Sequence, residues 1–445
     1  MKERSRLGVF DLTMIVVSLV IGMGIFKTPV DVAQRAISPP VYFGAWILGG
    51  FVALCGALSY AEIGSRYPVT GGYYKIFSYC YHPSLAFMIN CLILISNAAS
   101  TSAVALIGAE YISQVLFPGS LHEGLIRQAI AIGSIILFFL VNLMGLRLSS
   151  KTQNVLTVVK ISMILLLILA IFEPGQAHAV TATAGASPGL GGYFRSLGIC
   201  LIAVSFSYGG YQQTINLGGE VKNPKKVIPR SIFFGIAIII LLYLAINFAY
   251  FRVIGFGSLK NAQSIASILA TRVLGAAGGK IFSVLLFLSV LGYVNVQLIS
   301  NPAVIFAMGE ERILPGLFTF RSQKRDALVP ALICFTAICI ITLIFTGKFE
   351  TILNWVIFMD SIGMATSVAT IFILRKKTAD LDPNSIYIMK LYPLLPVIFI
   401  LAYMFVAGSI IVNFPQASLY GFLIFCGLFP VYLLTRFLRN RIPKT

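Results

Sequence analysis

The sequence predicts an all-α polytopic membrane protein with about twelve transmembrane helices, and three observations predict it. Of its 445 residues, 58% are hydrophobic and only 11% charged, more apolar and less charged than a soluble domain. Apolar stretches of roughly 18–25 residues, the length a helix needs to cross a bilayer, recur from one end of the chain to the other. Two short glycine breaks, Ile21-Gly22-Met23-Gly24-Ile25-Phe26 and Phe206-Ser207-Tyr208-Gly209-Gly210-Tyr211, interrupt apolar spans near the N-terminus and mid-chain. In a bilayer no water satisfies a broken helix, so unwound backbone is tolerated at membrane depth only where it lines a cavity or is buried in protein.

In order, the predicted spans lie near 9–34, 41–64, 83–114, 125–146, 151–172, 190–218, 230–254, 281–308, 329–347, 350–374, 389–412 and 418–438. The third is long enough to be strongly tilted, and 255–280 reads as short external helices. Spans one to five and six to ten fit two halves, each opening with a glycine-interrupted helix and together followed by a two-span tail. The expected units are therefore 8–173, 190–376 and 388–438. An odd number of helices per half makes consecutive halves enter the membrane from opposite sides, so the repeats are inverted by topology. No loop is large enough for a soluble domain. The segments 173–190 and 375–388 read as connectors, and Arg66-Tyr67-Pro68-Val69-Thr70-Gly71-Gly72-Tyr73-Tyr74 reads as a compact turn or an internal gate loop.

A formal charge of +18 in a soluble protein suggests nucleic acid, but here the basic residues fall in alternate loops. With a cytoplasmic N-terminus, about 23 of the 33 Lys and Arg lie inside, as membrane insertion favours. Both termini are thus expected in the cytoplasm of a multi-pass protein of the cell (inner) membrane. The first apolar run continues directly into further spans without a small-residue cleavage site, and reads as an uncleaved helix. The seven cysteines sit mostly within apolar runs and read as reduced packing residues. The three histidines lie far apart, and no nucleotide loop, HExxH or nucleophile elbow occurs. No metal, no cofactor, no nucleic acid and no enzyme activity are expected.

The breaks carry the chemistry. A helix restarted at Gly22-Met23-Gly24 presents free N–H groups at a dipole end worth about half a positive charge, which suits a carboxylate. The second break, around Ser207-Tyr208-Gly209-Gly210, leaves carbonyls at the end of its first half, and an ammonium needs such acceptors. Together they complement an α-amino acid zwitterion; close helix packing through small residues is the alternative for either break alone. Asn97 and Asn295 are polar residues in apolar helices that either face the cavity or bond neighbouring helices, and Gln212 and Gln213 follow the second break. Lys160 is the one lysine well inside an apolar span. A buried ammonium is expensive and requires a partner, unless it snorkels to the edge. Asp360 lies in span ten, near an external face by this topology. An intramembrane carboxylate is a functional candidate, while its near-edge placement also suits a water-exposed or Ser-bonded structural role; Glu110 is similar and reads more as a hydrated helix-end residue. Glu62 and Glu220 read as loop ion pairs or an internal gate.

Gly22-Met23-Gly24-Ile25-Phe26, followed by Pro29, resembles the G-S-G-I-F signature of the amino acid-polyamine-organocation permeases. Phe206 to Tyr211, with Glu220-Val221-Lys222-Asn223-Pro224-Lys225-Lys226 and Ile228-Pro229-Arg230, is similar to a longer motif of the L-type amino acid transporter branch. Gly292 to Asn295, Met308 to Glu310 and Pro68 to Tyr73 extend the resemblance over residues 8–376. The resemblance implies a LeuT-like five-plus-five inverted repeat with discontinuous first and sixth helices. It also implies that Gly22 to Ile25 bind the substrate carboxylate, that backbone at Phe206 to Gly209 binds the amino group, and that the Phe206 ring gates the external side. Lys160 resembles the fifth-helix lysine of sodium-independent members, whose ammonium stands in the place of a sodium ion and contacts the unwound first helix. The substrate-binding set is then Ile21, Gly22, Met23, Gly24, Ile25, Phe206, Ser207, Tyr208, Gly209 and Gly210, with Asn97, Gln212 and Asn295, and Lys160 couples transport.

Departures bear on specificity. Met23 replaces the usual small hydroxyl residue, Tyr211 stands where Trp is common, and the residues that can be placed in the pocket include no carboxylate to neutralise a cationic side chain. The expectation is a sodium-independent secondary transporter of neutral L-amino acids, exchanging or proton-coupled, working by alternating access across the lipid bilayer. A cationic amino acid or polyamine carrier of the same fold and a non-transporting amino acid sensor are the alternatives. With no external cysteine, a disulfide-linked subunit is not expected.

Overall fold

The computed structural model describes residues 6–22, 24–119, 122–172, 189–262, 265–345 and 349–441, and within them the chain is helical. Val9–Val20 (α1) and Gly24–Arg35 (α2) are the two halves of one span, bent by 41° at the first glycine break. Pro39–Arg66 (α3), Gly72–Cys80 (α4), Pro83–Leu116 (α5), Glu123–Leu143 (α6) and Leu146–Ile168 (α7) follow. Leu190–Tyr208 (α8) ends at the second break, and Pro224–Ile254 (α9) resumes the membrane crossings. Phe256–Leu259 (α10) and Ile265–Leu274 (α11) are the short helices expected in 255–280. Gly278–Glu310 (α12), Val329–Phe345 (α13), Phe349–Lys377 (α14), Leu394–Asn413 (α15) and Pro415–Arg441 (α16) complete the chain.

Local sequence explains the boundaries. Pro39, Pro83 and Pro224 open α3, α5 and α9 at the first helical turn, where the missing N–H costs nothing and φ is already helical. Gly255, at φ +80, terminates α9, as glycine does where the chain leaves a helix left-handed.

Among the described residues, ten helices are long and apolar enough to cross a membrane, and α1 with α2 makes an eleventh. The 17-residue α13 stands where the ninth span is expected. The protein is thus a multi-pass membrane protein of nearly the expected span count. Two features differ from the sequence reading. The gate-loop segment runs into a distinct helix, α4, whose nine residues are too few to register as a span. After the second break the chain does not resume an α-helix but continues in 3₁₀ turns, Tyr211–Asn216 and Gly218–Glu220.

The most extensive helix contact is between α3 and α9, the next between α5 and α12. Tyr42 of α3 donates to Asn247 of α9 in the buried interface. In α5, 72% of the apolar span is buried, against 17% in α16 and 22% in α6. The exposed side chains on α6 and α16 include Leu137, Leu140, Tyr420, Phe422 and Leu423, a surface suited to hydrocarbon. The core therefore runs through α1, α3, α5, α9 and α12, and the breaks lie inside it.

Candidate functional site

The helix ends at the first break have named partners. Ile21 leaves helical geometry at φ −74°, ψ 84° while its N–H still donates to Val17 O at 2.8 Å. Its own carbonyl accepts from the Lys160 ammonium at 2.5 Å, and the same nitrogen lies 3.1 Å from Ser18 Oγ and 3.5 Å from Ser18 O. Lys160 is fully buried; its charge sits at the negative end of α1, where the helix dipole favours a cation. It does not snorkel. Val20 O accepts from Gly22 N at 2.8 Å and lies 3.2 Å from the Tyr243 hydroxyl.

That hydroxyl also lies 3.1 Å from Ser207 O at the second break. A phenol has one proton, so Tyr243 donates to one break at a time while spanning both. Gly210 adopts φ +117 with its Cα against Leu19 O of α1, where a Cβ has no room. Gly210 N donates to Gln212 Oε1 at 2.7 Å, and the Phe206 carbonyl accepts from Gly209 N at 3.3 Å. A Cβ on Gly24 would stand 2.8 Å from Ser207 Oγ. The two breaks are back to back, and glycine is what permits it.

They open on one cavity. It offers ≈ 100 Å³ to the centre of a water molecule, several times the ~10–15 Å³ that one water requires. Gly22, Gly24, Phe206, Ser207, Gly209, Gly210, Asn97 and Gln212 of the expected set line it. Ser207 Oγ is buried without a hydrogen-bond partner among the described residues. Phe206 lines the cavity and packs beside Ile202, Phe358 and Met359. Ile21 and Ile25 are buried next to it, and Tyr208 turns its hydroxyl to Trp46 O at 3.3 Å. Met23 lies outside the described residues.

Asn295 sits elsewhere. Its Nδ2 donates to Gln153 Oε1 at 2.8 Å and to Ser149 O at 3.2 Å, and its Oδ1 accepts from Asn142 at 2.9 Å. Those bonds tie α12 to α6 and α7. Asn97 instead bonds Asn301 at 2.7 Å and accepts from Gln213 at 3.2 Å, which places it at the cavity floor. Helical spacing gives depth but not azimuth, so the sequence does not separate these two asparagines.

Sequence reasoning also missed residues. Lys27, Asp31, Tyr293, Asp360, Ser361, Met364 and Tyr403 line the same cavity. The expectation of a pocket without a carboxylate is therefore corrected: Asp31 comes from the second half of the first span, and Asp360 from α14, about 150 positions beyond the second break. As an intramembrane carboxylate Asp360 is already a functional candidate in the sequence, but its near-edge placement does not assign it to the pocket. For Tyr243 the signal is a lone hydroxyl in the apolar run Ile238 to Leu244, since a buried phenol needs an acceptor.

A family model described as "Amino acid permease" matches residues 7–431. The chain belongs to the amino acid permease family. It is 28% identical to the serine/threonine exchanger SteT of Bacillus subtilis over 432 residues, 96% of each chain. It is 27% identical over 458 residues to the human large neutral amino acids transporter small subunit 2, covering 99% of this chain and 82% of that one. To the mouse Asc-type amino acid transporter 1 it is 24% identical over 454 residues, with 99% and 83% covered.

The cavity of this permease is lined by Lys27 and Asp31 of α2 as well as by residues of the two breaks. Below the floor, Asn301 Nδ2 donates to Gln297 Oε1 at 2.7 Å, and Asn216 Oδ1 accepts from Tyr73 N at 3.0 Å. Glu62, with a side chain 0% exposed, holds Arg66 at 2.7 Å and Arg375 at 2.8 Å and accepts from Met389 N at 2.9 Å. Glu220 takes Arg321 through two bonds of 2.8 and 2.7 Å and Thr70 Oγ1 at 3.0 Å. Hydrogen bonding to Glu220 pushes the Arg321 guanidinium further above its ordinary value, so Arg321 keeps its charge. Leu7 N donates to Glu220 O at 2.8 Å, seating the N-terminal segment on the same face.

Proposed function

We propose that this permease is a sodium-independent secondary transporter of neutral L-amino acids, exchanging substrates or moving them with protons by alternating access. The observation that carries it is the meeting of the two breaks at one cavity. Free N–H groups at the start of α2 suit a carboxylate, and carbonyls at the end of α8 suit an ammonium. The Lys160 ammonium on Ile21 O supports independence from sodium, because a fixed cation already stands where the broken helix presents its carbonyls. The relatives named as a serine/threonine exchanger and a large neutral amino acids transporter agree in substrate class.

The charges at the site favour a neutral substrate. With Asp31 and Asp360 set against Lys27 in the lining and Lys160 behind Ile21, formal charges balance. A basic side chain would find no net negative wall. The carboxylates nevertheless favour a second reading, a cationic amino acid or polyamine, over the other rivals, and competition by arginine or putrescine separates the two.

In this reading the molecule consists of inverted repeats at 8–173 and 190–376 with a two-helix appendage at 388–438. The packing of α3 on α9 and of α5 on α12, second on second and third on third, supports it. Both termini lie in the cytoplasm of a cell-membrane protein, so the ion-pair clamps close the inner face and the cavity opens outward. Phe206 then stands on the external side of the substrate.

The test is a thermal-shift screen of the twenty amino acids on purified protein, extended to leucine analogues lacking the carboxylate or the amino group. Stabilisation by neutral L-amino acids, lost when either end group is removed, is expected. Equal stabilisation by the amine or the acid alone contradicts the two-ended site.

A further inference from the structure

We propose that Asp360 selects the substrate's side chain, accepting a hydrogen bond from neutral side chains that end in a hydroxyl or amide donor and so favouring them over aliphatic ones of the same shape. This rests on the amino acid site proposed above. Asp360 is partly buried in the middle of α14 and lines the same cavity as Gly22, Gly24 and Ser207. It also lines a small adjoining pocket of ≈ 10 Å³, room for about one water.

Among the described residues its carboxylate accepts one hydrogen bond, from Ser96 Oγ to Oδ1 at 3.2 Å. None of the ion pairs among the described residues includes it. An ionised carboxylate has about four acceptor sites, so the Ser96 bond leaves most of that capacity for a ligand in the cavity Asp360 lines. A carboxylate within a span is costly unless something donates to it, and a donor arriving with the substrate meets that need only when the site is filled.

Position makes the side chain the group that arrives. α14 packs mainly on α15, α5 and α16, whereas α1 packs on α7, α9 and α12 and α2 mainly on α8, with α3 reaching both α2 and α14. The breaks and Asp360 therefore belong to different walls of one cavity. A zwitterion anchored by both backbone groups at the breaks has only its side chain left to reach α14. Asp31, the other lining carboxylate, lies on α2, four residues from Lys27 and on the same helical face.

The experiment uses the isosteric pairs threonine with valine and serine with alanine, as competitors of uptake into proteoliposomes of purified protein. Because a hydrogen bond to an ionised group is stronger than a neutral one, the parent is expected to favour threonine over valine by about tenfold or more. In Asp360→Ala the ratio falls to near unity, threonine losing more than valine. Asp360→Asn keeps the volume and one neutral acceptor, and is expected to show an intermediate ratio; it carries the test if the alanine variant does not fold.

An unchanged ratio in these variants overturns the proposal. Equal weakening of both members of a pair does so too, because it marks a general structural role. A parent whose strongest competitor is arginine or lysine, lost with Asp360, makes the residue a counter-ion and also overturns it. A parent that binds no amino acid defeats the underlying site reading, whereas binding with an unaltered ratio defeats this proposal alone.

Discussion

The Lys160 ammonium donates to the carbonyl of Ile21 at 2.5 Å, fully buried, at the point where the first span breaks. A cation from the seventh helix thereby holds the end of the first, and any movement of α1 must carry or release this bond. That makes Lys160 a coupling residue in the proposed cycle rather than a substrate contact; it is not among the residues that line the cavity.

Lys160→Ala is accordingly expected to keep amino acid binding, read as ligand-induced thermal stabilisation, and to lose uptake by at least about tenfold, a barrier change near 1.4 kcal/mol. Leaving the Ile21 carbonyl buried without its donor lowers stability by about 1–3 kcal/mol. Normal uptake by the variant removes Lys160 from the mechanism.

Tyr243 connects the breaks to each other through contacts of 3.2 and 3.1 Å. Tyr243→Phe deletes only the hydroxyl, and a net hydrogen bond contributes about 0.5–1.5 kcal/mol. The expected result is a folded protein in which substrate affinity by calorimetry falls several-fold. Unchanged affinity shows that the phenol does not position the site.

Glycine substitutions separate strain from contact. At Gly210, φ +117 and the approach of Leu19 O leave no place for a Cβ, so Gly210→Ala is expected to cost about 1–3 kcal/mol of stability. Gly209 has φ −72°, ψ 163°, and a Cβ there meets its first neighbour, Phe206 O, at 3.5 Å. Gly209→Ala should therefore remain within about 1 kcal/mol of the parent. Thermal unfolding in detergent compares them, and equal losses contradict the back-to-back packing.

Glu62 joins two arginines and the Met389 amide. Glu62→Gln removes the charge while keeping the shape, and breaking a buried pair from one side costs about 3–5 kcal/mol. A drop in melting temperature of several degrees is expected, with greater accessibility of a cysteine introduced at Asn216 to reagents from the inner face. No change in either shows that the clamp does not close that face.

Much of this was legible because membranes restrict what a chain can do. Glycines in the apolar runs at 22–24 and 209–210 announce broken helices, since backbone is otherwise never left open there. A lone lysine in the run Val158 to Ile161 announces a partner. What was not legible is rotational and non-local. Asn97 and Asn295 look alike in sequence, yet one bonds Asn301 and Gln213 and the other Gln153 and Ser149. Asp360 reads as a near-edge residue because span limits alone set its depth in the sequence, while the rotation of α14 that brings it to the cavity lining is set by packing. The 3₁₀ continuation after Gly210 reflects tertiary crowding against α1, which local propensity does not encode.

The most direct test of the central claim is uptake of a labelled neutral L-amino acid into sodium-free proteoliposomes of purified protein, preloaded with unlabelled amino acid or carrying a proton gradient. Uptake above protein-free vesicles, unaffected by added sodium and abolished in Gly24→Leu, where the added side chain would crowd Ser207 at the meeting of the breaks, is the predicted result. No uptake of any amino acid under either gradient, or uptake that survives that substitution, contradicts a transport site at the two breaks.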